Sequence, residues 1–107
     1  MNNLINRYTY REEWSEEDNA YISRCLEFPS LAAHGPTPED ALAQIKEVVQ
    51  FVLDDLEAQS EVIPEPFGLR KYKGNLSLRV PVDIHRHLAI QAAEQGVSIN
   101  QLILSRL

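Results

Sequence analysis

At 107 residues, with 44% apolar content and only four glycines, the chain is long enough for one ordinary domain or two very small ones, and too apolar to stay disordered. It has no 18-residue apolar run that would make a membrane-spanning helix, and the opening MNNLINRYTY lacks the basic-then-apolar order of a secretory signal, so a cytosolic protein is expected. The net charge of −6 conceals a division: residues 1–66 carry four basic side chains against fourteen acids, net −10, whereas residues 67–107 carry six against two, net +4. Such asymmetry points to two different partners, something basic for the first part and a polyanion for the second.

Arg7-Tyr8-Thr9-Tyr10-Arg11 alternates and reads as a strand, with both tyrosines on one face. The acidic stretch EEWSEEDN, residues 12–19, fits a hairpin loop. A second strand follows over Ala20–Leu26. Phe28-Pro29-Ser30 breaks it, and Leu31-Ala32-Ala33-His34 forms a short third strand before Gly35. Thr37 is a good N-cap, Pro38 suits the first helical position, and Asp40 stands where a capping-box acid belongs. Leu42, Ile45, Val49, Val52 and Leu56 then recur at spacings of three and four, with Ala41 and Val48 beside them, as in a helix that packs on a core. The helix should fray near Ala58-Gln59-Ser60. Residues 61–74 hold Pro64, Pro66, Gly68 and three basic side chains, and read as a connector that opens with an edge strand.

Little in this half reads as a reaction centre. The lone Cys25 cannot form an internal disulfide and suits a small core position. Cys25 and His34 lie nine residues apart with no second pair to complete a zinc set, and nothing near His34 reads as an activated nucleophile. No glycine-rich phosphate loop is present. No enzyme activity, metal or cofactor is expected. Trp14 has two readings, a binding anchor or a ring packed on its own sheet.

GNLSLRVP, Gly74–Pro81, alternates again. Leu76, Leu78 and Val80 fall on one face of a strand, and Asn75, Ser77 and Arg79 on the other. A helical pattern follows from Val82, carrying Ile84, Leu88, Ala92 and Ala93. Gly96 suits a left-handed helix end, and Ser98 caps a last helix bearing Ile99, Leu102 and Ile103. Residues 75–107 number only 33, too few to sustain a core alone, and the strand has no mate in the chain. Two copies that pair their strands antiparallel remove both deficits and form a two-fold dimer. A two-stranded ribbon fits the DNA major groove, where arginine pairs with guanine, asparagine with adenine and serine with several base edges. Asn75, Ser77 and Arg79 are therefore the candidate base readers. Ser98, Asn100, Lys71 and Lys73 are the candidate phosphate contacts. His85 and His87 point in different directions on a helix and do not make a metal pair.

GNLSLRVP, the helix after it and GVSINQLILSRL resemble the ribbon-helix-helix repressors, which implies that the outward strand residues read operator DNA. The run YISRCLEFPSLAAHGPTPEDALAQIKEVV resembles the HicB antitoxins, whose usual P-[DE]-L-P-G-C stands here as Leu26-Glu27-Phe28-Pro29-Ser30-Leu31. This second resemblance implies a truncated ribonuclease-H-like sheet without catalytic acids, and a small basic mRNA-cleaving toxin of HicA type as partner. The expectation is an α+β chain with a partial ribonuclease-H-like β-β-β-α domain over 1–66, a linker over 67–74 and a dimeric ribbon-helix-helix module over 75–107. Its role is an antitoxin that silences the toxin and represses its own operon as a homodimer or a larger assembly. Two rival readings are a dimeric repressor whose first domain senses a small ligand, and a degenerate hydrolase, for which no acid set can be named.

Overall fold

The computed structural model describes residues 4–107. Three antiparallel strands are followed by helices: β1 Tyr10–Ser15, β2 Ala20–Cys25, β3 Phe28–Gly35, α1 Pro38–Ala58, α2 Val82–Gln95 and α3 Ile99–Leu104. The architecture is α+β, and the chain separates into two compact units, residues 1–71 and 72–107.

In the first unit the sheet runs in the order β1-β2-β3. Its register sets Tyr10 opposite Cys25, Trp14 opposite Tyr21 and Ser23 opposite Ala33. α1 covers one face. Cys25, Ile45, Val49 and Leu53 are sealed from solvent, and Tyr8 meets Phe28 edge-on at 5.4 Å between ring centroids. The helix begins as its sequence dictates: the Thr37 hydroxyl accepts from the Asp40 amide at 3.1 Å, and Pro38 opens the first turn. Gly35 lets that first turn close on β3, because a Cβ there would stand 2.7 Å from the Ala41 nitrogen.

Four expectations shift. The first strand begins at Tyr10 rather than Arg7 and continues through Ser15, so the hairpin loop shrinks to residues 16–19. The acids Glu12 and Glu13 are exposed on an edge strand, where they keep their hydration, and Asn19 makes the turn with φ 49°. The third strand starts at Phe28 rather than Leu31, since Cys25 pairs with Phe28 across the two-residue turn Leu26-Glu27. Pro29 is tolerated because β3 is an edge strand. The buried row of α1 is Ala41, Ile45, Val49 and Leu53, while Leu42, Val52 and Leu56 flank it half-buried. Finally, residues 61–66 form no strand, and 67–69 make a short 3-10 turn that stays with the first unit.

In the second unit α2 ends at Gly96, which has φ 68° and the left-handed conformation its position demands. α3 starts in a capping box: the Ser98 hydroxyl accepts from the Gln101 amide, and the Gln101 side chain accepts from the Ser98 amide, both at 3.0 Å. Only Ala92 and Leu102 are fully buried there.

Candidate nucleic-acid interface

Residues 75–81 run from Gly74, which bends the chain with a φ of 78°, to Pro81, which caps α2. Among the described residues this segment joins no β-ladder. The side chains expected to face a core are open to solvent: Leu76 is 86% exposed, Leu78 70% and Val80 40%. The cause is plain. A strand needs a neighbour at hydrogen-bonding distance, and one copy of a 36-residue unit supplies none.

These leucines line two open grooves of about 280 and 210 Å³, together with Leu88, Ile99 and Ile103 from the helices. Ser77 and Arg79 line neither groove and are exposed, so alternation along the segment separates them from the leucines. Asn75 differs from its expected companions: it sits at the lip of the first groove beside Gly74 and Leu76. Asn100 lines both grooves and so belongs to the apolar side of the unit. Ser98 already uses its amide and a lone pair in the capping box, which leaves its hydroxyl proton free to donate. Lys73 is exposed in this unit, whereas Lys71 is the exposed last residue of the first. His85 lines the second groove, and His87 is exposed.

Among the described residues no group of side chains that could hold a metal ion is found. Cys25 is buried and its thiol is pushed up to about 11 by burial, so it stays a protonated core residue. His34 is exposed on β3, on the opposite face of the sheet from Cys25. The tyrosines pack rather than stack on a ligand: the Tyr8 hydroxyl donates to the Pro64 carbonyl at 2.7 Å, and the Tyr10 hydroxyl to the Ile5 carbonyl at 2.6 Å. Trp14 leans edge-on against Tyr21 at 5.0 Å and donates its indole N–H to Glu16, yet it remains 45% exposed.

One polar residue escaped the sequence reading. Glu27 is 7% exposed, and its carboxylate accepts from the Thr9 amide at 2.9 Å, the Thr9 hydroxyl at 3.1 Å and the Phe67 amide at 2.9 Å. Burial alone would raise its pKa, but the hydrogen bonds from Phe67 and Thr9 outweigh it and hold the carboxyl below the ordinary range. The signal was a lone acid flanked by Leu26 and Phe28 in an apolar turn, which demands partners if buried.

The HicB family model matches residues 56–107, from the last turn of α1 through the connector and all of the second unit. Neither a curated protein nor a solved structure matches the chain. The match lies outside residues 21–49, the run on which the sequence resemblance to HicB rested.

Proposed function

We propose that the chain is an antitoxin of HicB type, in which the second unit pairs with a second copy as a ribbon-helix-helix dimer on operator DNA. The match to the HicB family model over residues 56–107 carries this reading. It falls on the unit whose strand-like segment leaves Leu76 and Leu78 uncovered. Two such segments laid antiparallel would cover each other's leucines against Ile99 and Ile103, and would present Ser77 and Arg79 from both chains on one outward ribbon. Arg79 would then read a guanine edge and Ser77 a neighbouring base. Asn75, at the strand end, would work at the margin of the site. The Ser98 hydroxyl, Lys71 and Lys73 would contact phosphates and confer salt dependence, with Asn100 turned toward the dimer core.

The first unit is assigned to toxin capture. It holds fourteen acids against six basic residues over 1–71, so a basic HicA-like ribonuclease would approach it under favourable steering. Its β-β-β-α order is compatible with a partial ribonuclease-H-like sheet, and we assign it no catalysis. Inhibition needs only that the unit cover the toxin's RNA-binding surface.

Co-expression with the product of a short basic reading frame sought beside this gene tests the assignment. The two proteins should co-purify, growth arrest by the toxin should be relieved, and the pair should shift a DNA fragment from upstream of the operon. Failure to bind any neighbouring gene product would overturn it.

A further inference from the structure

The connector is tied down at three places and braced within itself by a fourth contact. The Tyr8 hydroxyl holds the Pro64 carbonyl at 2.7 Å. Pro66 is fully buried. The Phe67 amide donates to the Glu27 carboxylate at 2.9 Å. The Arg70 guanidinium lies over the Phe67 ring, 3.9 Å from its centroid, while its Nε donates to the Glu65 carbonyl at 2.9 Å. A solvated linker rich in proline and basic residues would have none of these ties.

We infer that residues 63–70 are a strap latched to the first unit by Glu27, and that this latch sets how much free chain joins the two units. With the strap seated, the free tether is Lys71–Gly74, which spans at most about 14 Å when fully extended. With it released, the free chain begins after α1 and lengthens to residues 61–74, with a root-mean-square span of about 20 Å and a far longer maximum reach. Tether length fixes the effective concentration at which two linked sites meet a shared partner, so the latch is a means of setting it. The same carboxylate also holds the amide and hydroxyl of Thr9 at the entry to β1. A displacement of that entry therefore reaches the strap through a single shared group.

The latch lies within the first unit, and the inference holds whether or not the second unit binds DNA. It is tested on the full chain by amide hydrogen exchange and limited trypsin digestion. In the wild type the Phe67 amide should be protected like the sheet amides of β2, and trypsin should cut after Lys71 and Lys73 well before Arg70. Glu27→Gln keeps the side-chain volume but removes the charge. It should speed Phe67 exchange and Arg70 cleavage at least tenfold while leaving cleavage after Arg86 unchanged. Phe67→Pro deletes that donor N–H at a position that favours proline and leaves the Thr9 bonds in place; because it also removes the ring under Arg70, it should free Arg70 at least as fully as Glu27→Gln does. Fast exchange of Phe67 in the wild type, or Arg70 cleavage as rapid as that after Lys73, would overturn the latch. So would a Phe67→Pro chain in which Arg70 stays protected.

Discussion

The two units are finished to different degrees. The first closes its own core, with Ile45, Val49, Leu53 and Cys25 at 0–1% exposure beneath a helix capped at its start. The second has a well-made helix pair, with a left-handed glycine and a capping box, yet leaves Leu76 and Leu78 open. Local rules are obeyed equally in both, so local propensity does not separate them. The missing ingredient in the second is a covering layer, and burying a leucine is worth about 2 kcal/mol per side chain. The dimer proposed above would supply that layer from a second copy.

The sharpest way to break this contrast is Leu78→Asp. If two copies cover each other, the substitution places two carboxylates in one apolar interface. It should weaken dimerisation by at least about 4 kcal/mol, roughly a thousandfold. Analytical ultracentrifugation should show a monomer, while the near-ultraviolet signal of Trp14 against Tyr21 stays native. A dimer of wild-type affinity would mean that the leucines serve another purpose.

Glu27→Ala tests the opposite unit. It removes the acceptor of the part-buried bonds from the Thr9 and Phe67 amides, and should cost roughly 2 kcal/mol in chemical denaturation with the second unit untouched. The wild-type carboxyl also predicts a pH dependence. Its folded pKa lies below the ordinary value of 4.5, so its contribution is complete above that value and is lost as pH falls through the lower folded one. The gap between wild type and Glu27→Ala should therefore be constant at neutral pH and narrow in acid.

What could be read in advance follows from the range of the forces involved. α1 was legible because Thr37, Pro38 and a period near 3.6 are local signals. Its buried row was displaced toward Leu53 because the sheet decides which side of an apolar face is sealed. The start of β1 was misplaced because two acids resemble a loop until an edge strand offers them solvent. Ser77 and Arg79 kept their expected separation from the leucines, since alternation is a backbone property. Asn75 and Asn100 line the groove side, where the bend at Gly74 and the packing of α3 govern placement. The strap was illegible because its ties join residues some 40 and 56 positions apart.

Arg79→Ala separates assembly from reading. Operator affinity should fall by roughly 1–3 kcal/mol in a gel-shift titration, with dimer mass and helix content unchanged. Wild-type binding would remove Arg79 from the reading face and leave the ribbon without its strongest base contact.

The smallest effect tests how complete the first unit's core is. Ser23 lies on β2 opposite Glu12 and Ala33, fully buried, and its hydroxyl has no hydrogen-bond partner among the described residues. A small side chain there lets α1 approach the sheet, but the oxygen loses its hydration without compensation. Ser23→Ala keeps the size and removes the unpaired dipole, so it should stabilise the first unit by up to about 1 kcal/mol. A loss of similar size would reveal an ordered water bound at Ser23, and the unit that looks self-sufficient would then depend on a guest of its own.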